Sequence, residues 1–421
     1  MGDSFEFNSL GPFFARRLII LTIFHISNHM KLKQVPDDFR VEEITNVDPG
    51  QAGPHAYYRL EKINWTTPDA LNTIRRRWQI PFNRLSYGGL KDRHARTSQY
   101  LSIFHGPQRN MTSQGITVTY LGQREEPFTS SDIKVNRFTL TLRSMSPKAV
   151  DQARNALPVL ERIGVPNYFD DQRFGSVSPD GRFVAKEMVL GRFEQALKLA
   201  LTAPYEFDRT AMKHEKQMLR DLWGDWARLK TELPNGPASR LIGHLLKNPE
   251  DFTGALEHLN PELRGLYLAA WQSHLWNKML AKWLRDRVAP GQLLAMRSRM
   301  GDLPIPRSIP PESLNEWREL ELPLPSARLK IEPGVPWATL VEEVMDEEGV
   351  PLDQMKLKAL RKPFFSKGDR AAAVIPQGLK AESSKDDLNT GKLKMVLRFD
   401  LPRGSYATMI VKRVTQMKDV G

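Results

Sequence analysis

The chain has 421 residues, 40% of them hydrophobic, which is enough to bury the cores of two or three ordinary domains. It contains no cysteine, which excludes disulfides, thiolate nucleophiles, iron–sulfur clusters and cysteine-held zinc and fits a reducing cytoplasm. A formal net charge of +12 sets up a positive field that draws polyanions, nucleic acid foremost among them.

At the N-terminus, Arg16 and Arg17 precede an apolar run, Leu18 to Phe24, that is too short to span a bilayer. No small-residue cleavage site follows it. Residues 1–30 are therefore expected to form an extension outside the fold, or to reflect a start upstream of Met30. His25 and His29 have helical i, i+4 spacing, but no carboxylate joins them in a ligand-like motif.

From Lys33 the pattern turns β-rich. Phe39, Val41 and Ile44 predict a strand beyond Pro36, and Tyr57 to Ile63 predicts a second. Thr67-Pro68-Asp69 reads as a helix start, with Thr67 as the cap, and the helix turns Ala70, Leu71, Ile74 and Trp78 inward. Its other face shows part of Arg75-Arg76-Arg77, a solvated charge cluster on the simplest reading. Arg84 to Tyr87 reads as a strand running into Gly88-Gly89, and Gln99 to Phe104 as another. Val135 to Arg143 alternates, with Phe138, Leu140 and Leu142 on one face. Ser146-Pro147 opens a helix that Gly164 ends.

Beyond residue 178, long helical patterns dominate, including Pro261 to Val288. Pro290 to Pro336 is proline-rich and weakly patterned. Strand character returns at Ala371 to Ile375 and Met395 to Leu401, and Lys380 to Lys392 reads as a short low-complexity stretch. The expected fold is α+β with a mixed or antiparallel sheet. One domain is split between residues 31–177 and 371–421, and a more helical second domain, 178–370, is inserted between its halves.

The segment richest in chemistry runs Tyr87-Gly88-Gly89-Leu90-Lys91-Asp92-Arg93-His94-Ala95-Arg96-Thr97-Ser98-Gln99. Paired glycines after a strand permit unusual backbone angles or a close approach. Lys91 and Arg93 give Asp92 a cationic neighbourhood, which favours the ionised carboxylate. Such a segment is either a solvated turn with local ion pairs or a ligand-facing carboxylate.

Gly89 to Gln99 resembles the G-x-K-D-[RK]-x-A-x-T-x-Q signature of the TruD-type pseudouridine synthases. Four further stretches resemble the same family, in the same order. They are Lys33-Gln34-Val35-Pro36-Asp37-Asp38-Phe39, Pro166-Asn167-Tyr168-Phe169-Asp170-Asp171-Gln172-Arg173-Phe174-Gly175, Ala270-Trp271-Gln272-Ser273-His274-Leu275-Trp276-Asn277 and Leu401-Pro402-Arg403-Gly404-Ser405-Tyr406-Ala407-Thr408. One departure stands out: the family usually has glycine after N-Y-F, and this chain has Asp170. A glycine there could serve a positive φ, and an added carboxylate could repel phosphate.

The resemblance implies a pseudouridine synthase catalytic domain in two halves around the insertion. It also implies an enzyme that isomerises a uridine of tRNA, uridine 13 in the family, with Asp92 as the essential aspartate. The reaction involves no net oxidation, hydrolysis or group addition, so neither cofactor nor metal is expected. Metal-dependent nucleases cluster carboxylates, and no such cluster is visible. The target base must leave its stack, and water must be kept from the reacting sugar. By resemblance, Phe169 is assigned to stacking on the base and Asn167 to shaping the pocket. Lys33 and Lys91 are candidates for phosphate or pocket contacts. Phe39 and Tyr406 are candidates for base contact or core packing, with Ser405 expected to cap a following helix. Trp271 and Trp276 read as core. The expected partner is tRNA, with no membrane and no obligatory protein partner, in the cytoplasm. The competing reading is a non-catalytic RNA-binding protein on the same scaffold.

Overall fold

The computed structural model describes residues 25–26, 30–205, 208–332, 334–360, 365–415 and 418–419. The expected extension, 1–30, thus lies outside the described residues apart from His25–Ile26 and Met30.

One eleven-stranded sheet dominates the fold. Its strands are β1 (His25–Ile26), β2 (Met30–Leu32), β3 (Phe39–Thr45), β4 (His55–Ile63), β5 (Leu85–Tyr87), β6 (Arg96–Phe104), β7 (Met111–Ser113), β8 (Ile116–Arg124) and β9 (Ile133–Met145), joined from the far end of the chain by β10 (Gln377–Lys385) and β11 (Leu393–Leu401). The order runs β1-β2-β9-β3-β6-β4-β8-β7, with β5 on β6, β11 on β9 and β10 outside β11. Thr139 of β9 faces Arg40 of β3 on one side and Arg398 of β11 on the other, so an early and a late strand of the chain meet on one central strand. The β3–β6 pair is parallel and the sheet's other pairs are antiparallel, so the sheet is mixed, as expected.

β2 and β3 share one edge of β9 and act as a single interrupted strand. The interruption, residues 33–38, holds Lys33 at φ 64°. A lysine in the left-handed region costs about 1 kcal/mol, a strain that clusters at functional sites.

Helix α1 (Thr67–Trp78) packs Ala70, Leu71 and Ile74 onto β4 and β6. Its cap is Thr66, which accepts from Asp69 N–H at 3.1 Å, rather than Thr67. The helix begins one residue earlier than the Thr-Pro-Asp pattern suggested, and the fully buried Thr67 hydroxyl is left for another task. Helix α2 (Pro147–Ile163) is capped by Ser146 and closed by Gly164 at φ 68°. It lies on the same apolar core as β9, β11 and α4 (Ala407–Thr415). Between the two groups of strands the chain is mainly helical from Val184 to Glu257, and then enters α3 (Pro261–Arg287), which buries Trp271, Trp276 and Trp283.

The weakly patterned stretch 290–336 contains a hairpin, Leu293–Met296 with Leu303–Pro306, and a strand, Glu321–Pro323, that pairs with Asp369–Ala371. Lys380–Lys392, read as a short low-complexity stretch, forms most of β10 with its turn. β10 is an edge strand with no buried position, so it lacks the apolar alternation that reveals a strand. Asp386 anchors the turn by accepting from Ser144 N–H at 2.7 Å and from buried Arg143 at 2.9 Å.

Candidate active site

The seven residues singled out from the sequence fall into two groups. The first is built on the loop between β5 and β6. Gly88 is the more closely packed of the two: a Cβ there would meet Ile133 Cδ1, the movable end of a side chain, at 2.5 Å, whereas one at Gly89 would meet nothing within 4 Å. Neither glycine has a positive φ. The loop is fastened from behind. Thr67 Oγ1 accepts from Lys91 N–H at 3.0 Å and donates to Gln99 Oε1 at 2.9 Å, and Gln99 Nε2 donates to Gly89 O at 3.1 Å. Gln99, the last residue of the motif, is fully buried and holds the loop that carries Asp92.

Asp92 presents a side chain 25% exposed, and Lys33 Nζ donates to its Oδ2 at 3.1 Å. The strained turn at Lys33 aims the ammonium, which also lies 3.9 Å from the centroid of the Phe39 ring. Phe39 is 2% exposed and meets Phe138 edge-on at 6.3 Å, so it forms the floor beneath Lys33. Lys91 turns its Nζ to the buried Glu43 carboxylate at 2.5 Å, and Glu43 Oε2 accepts from Tyr100 N–H at 2.8 Å. Burial lowers the pKa of His94 next door, helped by Arg93 and Lys33.

The second group gathers around Phe169. Asn277 of α3 clamps its backbone, accepting from Phe169 N–H and donating to Phe169 O, each at 2.9 Å. Trp276 meets the Phe169 ring edge-on at 5.6 Å, and Tyr406 does so at 6.3 Å. The α3 motif is therefore a bracket. Gln272 donates to Pro325 O and Ser366 O, Ser273 accepts from Arg173 at 3.1 Å, and Trp276 donates to Leu322 O at 3.0 Å. Tyr406 precedes α4, which begins at Ala407, and the turn before it donates Ser405 N–H to Pro402 O.

Sequence reading missed Arg370, the residue that joins this group together. Its Nε donates to Asn167 O at 2.9 Å, Nη2 to Asn167 Oδ1 at 2.7 Å and Nη1 to Gly404 O at 2.9 Å. Its guanidinium lies 4.1 Å from the Phe169 ring centroid and 5.9 Å from that of Tyr406. Burial lowers its pKa to about 10, opposed by Tyr406. Asn167, with its Nδ2 donating to Ala371 O at 3.0 Å, is fixed on both sides. Phe39, Ala95 and Phe169 border one continuous apolar core, which the two groups share.

The family's glycine position is explained by its surroundings. Asp170 has φ −87° and ψ 169°, extended backbone open to any residue. Its carboxylate is buried and accepts from Lys412 and Thr408, so it does not face a ligand phosphate. Among the described residues no group of three or more histidine, aspartate or glutamate side chains could hold a metal, and no helix is long and apolar enough to cross a membrane.

A family model described as tRNA pseudouridine synthase D (TruD) matches residues 25–414. A Methanocaldococcus jannaschii protein named probable tRNA pseudouridine synthase D 2 is 33% identical, over 91% of each chain. The Aquifex aeolicus tRNA pseudouridine synthase D is 29% identical over 91% of this chain and 98% of its own. A crystal structure from Methanosarcina mazei solved under the TruD name superposes with a TM-score of 0.70 at 27% identity, covering 95% of this chain and 97% of that one. The residue-by-residue motifs, the shared architecture and the full-length matches agree: the chain belongs to the tRNA pseudouridine synthase D (TruD) family of isomerases.

Proposed function

We propose that the protein converts a uridine of tRNA, uridine 13 by family resemblance, into pseudouridine, with Asp92 as the essential carboxylate. The reaction breaks the N1–C1′ bond, turns the uracil and joins C5 to C1′. The C5 proton is lost and N1 gains one, so the atoms balance with no other reactant. Asp92 is suited either to attack C1′ or to take a proton from the sugar. The ion pair from Lys33 holds its carboxylate in one orientation, and this pairing at 3.1 Å is the observation that carries the reading. Phe169, seated on Trp276, is the proposed platform for the flipped base, with Tyr406 beside it and Asn167 shaping the pocket. The helical segment 178–370 is the proposed grip on the rest of the tRNA. A cysteine-free chain acting on tRNA suits the cytoplasm.

The test incubates purified protein with unmodified tRNA and no added cofactor, and maps pseudouridine by chemical adduct formation. Wild type should modify one uridine. Asp92→Asn should abolish turnover while leaving tRNA affinity within a few-fold. Tight binding without modification under all conditions would instead support a non-catalytic RNA-binding protein.

A further inference from the structure

Lys62 has no part in the site as drawn, yet it is fully buried. It occupies the inward face of β4, in line with Tyr58 and Leu60, where a hydrophobic side chain would be expected. A protein hides an ammonium only where its hydrogens are met. Lys62 Nζ donates to Trp65 O at 2.7 Å, to Asp92 O at 2.7 Å and to Lys91 O at 3.3 Å, which uses all three of its hydrogens. Two of those carbonyls belong to the residues that carry the proposed catalytic carboxylate and its neighbour.

Resting on that reading of Asp92, we propose that Lys62 is a positioning residue: its ammonium pins the Lys91–Asp92 backbone from beneath and so sets the direction in which the Asp92 side chain leaves the loop. Thr67 and Gln99 fasten Gly89 and Lys91, but among the described residues only Lys62 donates to the carbonyl of Asp92 itself. A side chain of equal volume without the charge would fill the space and leave that carbonyl free to turn.

The charged form does the pinning. Burial lowers the Lys62 pKa to about 7; the Asp92 carboxylate opposes this, and Lys91 and Lys33 add to it. Further out, Glu43 pairs with Lys91, and the charge of Asp92 acts on His94. A neutral amine keeps two hydrogens and turns a lone pair toward the third carbonyl, so deprotonation loosens the loop.

The experiment compares wild type with Lys62→Met in single turnover, in tRNA binding and in amide exchange across residues 88–95. We expect binding within a few-fold and a single-turnover rate lower by about a hundred-fold, the scale of a misplacement near 1 Å. Exchange in 88–95 should rise while α1 keeps its protection. The exchange arm reads Lys62 whatever the activity, so an inactive wild type sinks the proposed function and leaves this inference judged on its own. Unchanged exchange, or a rate close to wild type in a folded Lys62→Met protein, would overturn the inference.

Should Lys62→Met fail to fold, the cysteine-free chain offers a second arm. Lys62→Cys, aminoethylated before refolding, places at this one position a lysine analogue whose amine is more acidic. Its single-turnover rate should be restored, with the alkaline limb of the pH profile moved to lower pH. A restored rate with an unmoved limb would overturn the role of the charge.

Discussion

Lys412 Nζ lies 2.6 Å from Asp170 Oδ1, with both side chains at most 2% exposed. Thr408 donates to the other Asp170 oxygen, and Lys412 reaches Asp171 as well, at 2.7 Å. Burial pushes the Lys412 pKa down, but the two aspartates more than offset it and the net shift is upward. The aspartate that stands where the family has glycine is thus half of a buried pair tying the Phe169 loop to α4.

Removing one partner of a buried pair leaves a charge without its counterion. Asp170→Gly, which restores the family residue, should therefore destabilise this protein by about 3 kcal/mol, the low end for broken buried pairs because Asp171 remains. Asp170→Gly with Lys412→Met should recover most of that loss. Urea unfolding of both variants decides it; a single mutant as stable as wild type would show the pair to be neutral.

Arg370 makes a fork that lysine cannot copy. Its two donors to Asn167 and its face on Phe169 hold both side chains in one orientation. Arg370→Lys should keep the charge, lose the fork and lower the single-turnover rate by roughly ten- to a hundred-fold with little change in tRNA affinity. A rate equal to wild type would mean that Asn277 and Trp276 suffice to hold Phe169.

Most of the sheet was legible because its strands alternate. Phe138, Leu140 and Leu142 on β9 point one way and are all buried. Helix α2 announced both ends through Ser146 and Gly164. β10 was not legible, because an edge strand has little apolar face to display. Of the site, Asp92, Lys33, Asn167 and Phe169 were found through motif resemblance, and spacing alone did not distinguish Asp92 from a surface turn. Arg370 gave no signal, since it acts from a short strand 203 residues beyond its partner and lies outside every motif. Lys62 did leave one: a charge on the inward phase of an alternating strand. Glu43 is its counterpart on β3, in phase with Phe39 and Val41.

Gln99 and Thr67 form a buried hydrogen-bonded pair behind the loop. Gln99→Leu removes the donor to the part-exposed Gly89 O and the acceptor of the Thr67 hydroxyl, and leaves that hydroxyl unpaired in a buried site. The expected cost is about 2 kcal/mol of stability, together with a slower single turnover, because the Asp92 loop loses a fastening. Chemical denaturation and pseudouridine mapping on the same preparation check both. Full stability in Gln99→Leu would show that the loop holds without it.

The pH dependence of stability should carry the mark of Lys62. Its pKa is about 7 when folded and about 10.4 when unfolded. Below pH 7 the group is charged in both states, and burying the charge weighs fully against folding. Between these values the unfolded chain binds more protons, so this group's contribution to stability rises with pH. Activity governed by the charged amine moves the other way. Urea unfolding of wild type and Lys62→Met at pH 6 and pH 9 isolates the term: the stability of wild type relative to the variant should increase from the lower pH to the higher. No change between the two would mean that the three carbonyls hold the proton as tightly as burial repels it, and the folded lysine would then stay charged through pH 9.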